Sequence, residues 1–157
     1  MKYVINEKGL IYNRDYHATP YEKSVYSLSD EFKQDNLAGK RLVDDYMLPI
    51  YKIVDLTIMK TSDEDFTDLT EIKKIVIDKA KTFANSILSK TDYLEIRQLD
   101  PLESNRLTDS EMEAVRAYRR GIRSIYDNFK LSLEAATVYS QCRMILASFI
   151  AEVEAYV

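Results

Sequence analysis

Residues 62–87, SDEDFTDLTEIKKIVIDKAKTFANSI, carry the pattern that decides the fold. Leu69, Ile72, Val76, Ala80, Phe83 and Ile87 step by 3, 4, 4, 3 and 4 residues. That spacing gathers them on one side of an α-helix and would scatter them over both faces of a strand. Lys73, Lys74, Asp78 and Lys81 fall off the stripe. Asp63, Glu64 and Asp65 precede it, and acids are favoured at a helix start by the helix dipole. The helix is therefore expected to open at the acidic cluster and to run for roughly 22 to 25 residues.

An amphipathic helix needs other elements to cover its apolar side, and the downstream sequence supplies two. Thr108-Asp109-Ser110-Glu111 is a capping box, in which the Thr hydroxyl accepts from the Glu111 amide while Glu111 reaches back. Met112, Val115, Tyr118, Ile122 and Ile125 line one side of the helix that follows, and Asp127-Asn128 is expected to interrupt it, with a continuous or gently kinked helix as the alternative. The last segment, Leu131 to Val157, places Ala135, Val138, Cys142, Ile145, Phe149, Val153 and Tyr156 at helical steps. Leu133, Leu146 and Ile150 form a neighbouring stripe. A helix with so wide an apolar surface is either central to a bundle or docked on another chain. Between the first two helices the pattern slackens at Ser89-Lys90-Thr91, and Pro101 marks a connection.

Upstream the helical period fades. Tyr3-Val4-Ile5 and Leu10-Ile11-Tyr12 flank Asn6-Glu7-Lys8-Gly9, the composition of a hairpin. Asn13 to Ser27 is tyrosine-rich, holds Pro20 and reads as extended or irregular. Ser29-Asp30-Glu31 is an N-cap with acids behind it, so a short helix toward Gly39 is expected, and a second helical stretch from Lys40 to Met47 before Pro49. Tyr51 to Met59 is apolar and β-branched, and period does not separate strand from helix there. The expected fold is mainly α: a helical bundle of three or more helices with a small irregular or β N-terminal region. Residues 1–60 form that region, with a β-hairpin or extended arm, and residues 61–157 the helical domain.

Composition narrows the function. Apolar residues make up 46% and charged residues 31% of 157, the balance of a folded globular chain. Asp plus Glu exceed Lys plus Arg, 26 to 22, and the net charge of −4 disfavours nucleic acid as a partner. One Cys and one His leave no thiolate or imidazole cluster for a metal. Three glycines, Gly9, Gly39 and Gly121, cannot build a phosphate-cradling loop. No apolar run has the length of a secretory signal or a membrane span, so an intracellular setting without a membrane is expected.

Individual residues point the same way. His17 lies in a Tyr-rich segment with no Ser or Cys at catalytic spacing. Cys142 sits on an apolar stripe, where a thiol behaves as a small hydrophobe. The carboxylate groups have local explanations at helix starts. Arg116, Arg119, Arg120 and Arg123 share helix faces pairwise. They are read first as partners of Glu111, Glu113 and acids on adjacent helices, and second as a patch for an acidic partner. Twelve tyrosines without tryptophan suit a surface that contacts protein. No catalytic residue, cofactor or metal site is expected.

Residues 87–125 add a resemblance. Ile87-Leu88, Thr91-Asp92-Tyr93, Arg97, the loop to Leu107-Thr108, Tyr118-Arg119 and Ile122-Arg123 resemble a module of bacteriophage tail assembly chaperones and tail-fibre assembly proteins. Tyr93 stands where that module commonly has Trp, and the loop from Gln98 to Arg106 lacks the expected short form. In purely physical terms Tyr93 can tuck under the capped helix, Arg97 can pair with Glu111 or Glu113, and Tyr118 and Ile122 can close a helical hairpin. The resemblance implies a phage setting without catalysis: an assembly chaperone that meets a tail or fibre protein in the host cytoplasm. The alternatives are a minor structural component of the virion and a small nucleic-acid-binding regulator. The partner-binding residues expected on this reading are Tyr93, Arg97, Tyr118, Arg119, Arg123, Phe149 and Tyr156, on a monomer or a homo-oligomer.

Overall fold

The computed structural model of the chain describes residues 2–5, 9–13, 26–28, 37–100 and 102–156. Two compact units divide it, Met1–Asp65 and Phe66–Val157.

The first unit is built on a mixed five-stranded sheet. Strands β1 (Lys2–Ile5), β2 (Ile11–Asn13), β3 (Tyr26–Leu28), β4 (Tyr51–Val54) and β5 (Thr57–Lys60) take the order β2-β1-β3-β5-β4. All neighbours are antiparallel except β3 and β5. The expected pairing of Tyr3-Val4-Ile5 with Leu10-Ile11-Tyr12 is present, with Val4 opposite Tyr12. Tyr3, Ile11, Leu37 and Ile58 form the core of this unit, with Ile5, Leu42 and Tyr51 packed at its margin. Tyr3 therefore fills the interior of this unit. His17, Tyr16, Tyr21 and the capped helix expected after Ser29 lie outside the described residues, apart from its end at Leu37–Gly39.

Residues 51–59 are a hairpin, which settles the ambiguity there. Ile53 faces Ile58 across it, and Asp55 and Leu56 turn the chain with φ of 47° and 59°. Both turn residues are left-handed, the geometry that matches a two-residue loop to the strand twist.

The helix expected over Lys40–Met47 is replaced by turns and two isolated bridges, Leu10 with Arg41 and Val43 with Pro49. Asp44 explains it. Its Oδ1 accepts from the amides of Tyr46 at 3.0 Å and Leu48 at 2.9 Å, giving those donors a partner that a helix would otherwise supply. Met47 turns with φ 64°.

The second unit is the helical bundle, so the chain is mainly α with a small β region before it. Its helices are α1 (Thr70–Ser89), α2 (Asp92–Arg97), α3 (Asp109–Ala135) and α4 (Tyr139–Tyr156). The three long ones pack pairwise, and the short α2 rests on α1 and α3. Ile72, Val76, Ala80 and Ile87 of the deciding stripe are buried. Ile122, Ile125, Phe129 and Leu133 meet them from α3, and Cys142, Leu146, Phe149 and Val153 from α4. Phe149 lies 4.8 Å from Phe129 and 6.4 Å from Phe83 between ring centres, at the junction of the three helices.

Three helix boundaries differ from expectation. The acidic cluster makes only a 3-10 turn, Asp63–Asp65. There the Asp65 carboxylate folds back onto the Ser62 amide at 2.7 Å and bonds Lys52 of β4. Asp68 then accepts from the Thr70 amide at 2.9 Å, and α1 begins at Thr70 with 20 residues. Helix α3 runs unbroken through Asp127-Asn128 for 27 residues, because Asp127 pairs outward with Lys130 at 2.8 Å while Phe129 and Leu133 continue the buried face. The break falls instead at residues 136–138, so Leu131–Ala135 belong to α3. There the Gln141 side-chain Oε1 accepts from the Thr137 amide at 2.8 Å and the Val138 amide at 3.4 Å, at the start of α4. No helix among the described residues is long and apolar enough to cross a membrane.

Candidate functional site

Of the residues quoted for the module, Leu88, Thr91 and Asp92 meet at Arg119, whereas Tyr93, Arg97, Tyr118 and Arg123 do not. Arg119 Nη1 donates to the Leu88 carbonyl at 3.1 Å, the Thr91 hydroxyl at 2.7 Å and Asp92 Oδ1 at 2.7 Å. Its Nε lies 3.6 Å from Glu95. One guanidinium thus satisfies a carbonyl at the end of α1, the residue that joins α1 to α2, and the first turn of α2. The Leu88 carbonyl also accepts from the Thr91 amide at 3.0 Å and the Thr91 hydroxyl at 2.8 Å, and a helix C-terminus favours a cation beside it. Arg119 is only 13% exposed. Expected at a partner surface, it is instead a clamp within the bundle.

The capping box forms as the sequence predicts. The Glu111 amide donates to Thr108 Oγ1 at 3.3 Å, and Glu111 Oε2 accepts from the Thr108 amide at 2.8 Å. Those Thr108 bonds hold the Glu111 carboxyl below the usual carboxylate range, with Arg97 adding through space. Arg120 pairs with Glu113 at 2.6 Å and lowers its pKa in the same way. That is the salt-bridging reading of the arginine patch.

Phe149 is 2% exposed and needs correction as a contact residue: it fills the bundle core, where its ring covers Phe129 and meets Tyr126. Tyr156 remains at the surface, 46% exposed, and stacks on Tyr118 at 5.8 Å. Arg123 is exposed. Tyr93 does not tuck under α3; it is 61% exposed on α2.

Tyr93 opens an apolar run missing from the sequence reading. Ile96 is 68%, Leu99 81% and Leu102 61% exposed, so four large apolar side chains in ten residues face solvent. The backbone beneath them is held by the loop's own bonds. Gln98 and Leu107 exchange two: the Leu107 amide donates to Gln98 Oε1 at 3.0 Å, and Gln98 Nε2 donates to the Leu107 carbonyl at 3.1 Å. Arg97 Nε donates to the Asn105 carbonyl, not to Glu111 or Glu113, and Arg106 Nε to the Asp100 carbonyl at 2.6 Å. The Asp100 carboxylate accepts from the Leu102 amide at 2.8 Å and Asn105 Nδ2 at 3.1 Å. These two bonds, followed by the charges of Arg106 and Arg97, lower its pKa. A loop closed by its own polar groups presents its apolar ones in a fixed arrangement. The sequence signal was available: Tyr93, Ile96, Leu99 and Leu102 recur every third residue in a stretch of mostly polar and charged neighbours that holds Pro101.

Among the described residues, no group of three or more His, Cys, Asp or Glu side chains is placed to hold a metal. Cys142 is fully buried in α4. A groove of about 460 Å³ runs between α1 and α3 and is bordered by Lys73, Lys130, Asp127 and Glu134, charges of both signs.

The geometry defines a helical bundle with four exposed large apolar side chains along α2 and the loop after it. No protein-family model, curated protein or solved structure matches the chain.

Proposed function

We propose that the protein works by binding another polypeptide, with no bond made or broken, as an assembly chaperone for a bacteriophage tail or tail-fibre component. The observation that carries the binding role is the exposed run Tyr93, Ile96, Leu99 and Leu102, along α2 and the hydrogen-bonded loop that follows it. Large apolar side chains exposed close together in the chain suit an interaction site on a folded protein. The loop's rigidity lowers the ordering cost of association. The phage setting comes from the module resemblance, whose Thr91, Asp92 and Arg119 brace the surface while Tyr93 belongs to it.

In this reading the apolar run covers an aggregation-prone segment of the client in the host cytoplasm until the client assembles. The test compares tagged wild-type protein with the Leu99→Ser/Leu102→Ser variant in infected cells, alongside mass spectrometry of purified particles. Enrichment of a tail or fibre protein by wild type alone, with the protein missing from particles, supports the chaperone. Stoichiometric presence in particles replaces it with the minor structural component. Failure to enrich any tail or fibre protein overturns the reading.

A further inference from the structure

A second feature of the bundle stands apart from the apolar run. A crevice of about 150 Å³ opens between α1 and α3. Its polar lining is Lys81 and Asn85 from α1, with Arg123 and Tyr126 from α3. Its floor is Ala84, Leu88 and Ile122, of which Ala84 and Ile122 are buried. Lys81 and Asn85 are four apart on one helix and Arg123 and Tyr126 three apart on the other, so each pair shares a face. The two faces meet at the crevice.

Charge distinguishes this place from the rest of the unit. Two cations line it and no carboxylate does, in a chain whose net charge is −4. Arg119 and Arg120 spend their charge on Asp92 and Glu113. Lys81 and Arg123 have no ion pair or hydrogen bond among the described residues, and neither does the Asn85 amide. The acid one turn beyond Arg123, Asp127, is paired with Lys130. The Lys81 and Arg123 groups at the rim can only donate, Asn85 and Tyr126 can donate or accept, and Ala84, Leu88 and Ile122 offer only hydrocarbon.

Size and chemistry then select the ligand. The volume is well under the ~300–1,000 Å³ of sites that take a cofactor-sized molecule. A small inorganic anion would satisfy the rim and leave the floor uncovered. The groove bordered by Lys73 and Glu134 offers both signs and makes no such selection. What complements the crevice is one medium apolar side chain with a carboxylate beside it.

We propose that the α1–α3 crevice is a recognition site for an acidic, apolar segment of a partner polypeptide, in which a Leu- or Ile-sized side chain covers Ala84, Leu88 and Ile122 and a neighbouring Asp or Glu carboxylate meets Lys81 and Arg123. The site does not depend on the Tyr93–Leu102 run or on the phage setting. It gives the surface a preference by charge that an apolar run alone lacks.

The test is an NMR titration of the full chain, 15N-labelled, with the peptide acetyl-Glu-Leu-Glu-Leu-amide. Shifts are followed at the Asn85 side-chain amide and the α1 and α3 backbone. The expected result is saturable shifts confined to the crevice, weakened about ten-fold by Lys81→Gln or by Arg123→Gln. Binding should also fall with added salt and be lost with the Gln-Leu-Gln-Leu peptide. Both substituted side chains are exposed, and unchanged thermal melts of the variants confirm an intact fold. Equal binding of the Gln peptide, binding that survives the double variant, or the absence of any shift overturns the proposal. Equal shifts with sodium phosphate alone make the crevice a free-anion site and also overturn it. Shifts that track protein concentration without peptide replace the partner with a second copy. Leu99→Ser/Leu102→Ser should leave this titration unchanged, so its outcome and that of the client experiment are separable.

Discussion

The phenol of Tyr156 lies on the backbone of Gly121. A Cβ built at Gly121 would stand where the Tyr156 ring and hydroxyl lie, and the same ring stacks on Tyr118, one helical turn earlier on α3. Gly121 costs α3 about 1 kcal/mol of helix propensity relative to Ala. The seat it leaves lets the last turn of α4 close on α3.

This relationship predicts the sign of a double-mutant cycle. Gly121→Ala in the wild-type chain is expected to change stability by less than about 1 kcal/mol, because the propensity gain is offset by displacement of the ring from its stack. In a Tyr156→Ala background the same substitution should stabilise by close to the full ~1 kcal/mol. Urea denaturation of the four proteins measures the difference, and equal effects in both backgrounds would remove the seat.

Arg119→Ala should destabilise by roughly 1–3 kcal/mol, since it strips donors from the Leu88 carbonyl, the Thr91 hydroxyl and Asp92 together. Arg119→Lys should recover only part of this, because an ammonium lacks the planar fork. Arg116→Ala, at an exposed position on the same helix, provides the comparison and should stay within about 0.5 kcal/mol. If the two alanine variants unfold at the same urea concentration, the clamp is not a clamp.

Acid should weaken the bundle through its caps. The Glu111 carboxyl is lowered by its bonds to Thr108, and Asp100 by the Leu102 amide and Asn105. A carboxyl lowered in the folded state contributes stability that is full above its unfolded value, about 4. That contribution is lost as the pH falls through the lower folded value. The melting temperature should therefore hold from pH 7 to 5 and drop below about 4. Glu111→Gln can keep the cap geometry without titrating, so its melts should show a shallower acid slope than wild type.

Leu56 turns the β4–β5 hairpin with φ 59°, a conformation that costs a side-chain-bearing residue roughly 1–2 kcal/mol. Leu56→Gly is expected to stabilise the first unit by about 1 kcal/mol, read as slower amide exchange in β4 and β5. Faster exchange would mean that the exposed Leu56 side chain makes a contact worth more than the strain.

Ile96→Ser and Leu99→Ser should leave the thermal melt within about 0.5 kcal/mol of wild type, because both side chains are exposed in the bundle. Light scattering at high protein concentration should show less self-association for these variants if the apolar run is available to other chains.

Much of the bundle was legible because its information is local. The stripe Leu69 to Ile87 and the Thr108–Glu111 cap need only helical geometry to be read, and both are in place. The strands of the first hairpin were readable from their β-branched and aromatic runs. Boundaries were less so. Asp63–Asp65 and Asp44 use their carboxylates on nearby backbone amides, and a sequence does not show whether an acid will serve a helix dipole or close a turn. The run of α3 through Asp127-Asn128 was decided by Phe129 and Leu133 finding a core to fill.

The sequence by itself determined the class of fold, the cap of α3 and the absence of a thiol or imidazole cluster, since each follows from residue type and spacing along one chain. Only the tertiary structure decided which polar groups were consumed and which were left over. Arg119 and Arg123 occupy one face of α3 and look alike in sequence. One is spent on the end of α1, while the other borders a crevice with Lys81. That difference is set by which backbone and side-chain groups a neighbouring helix brings within hydrogen-bond reach, and spacing within a single helix does not encode it.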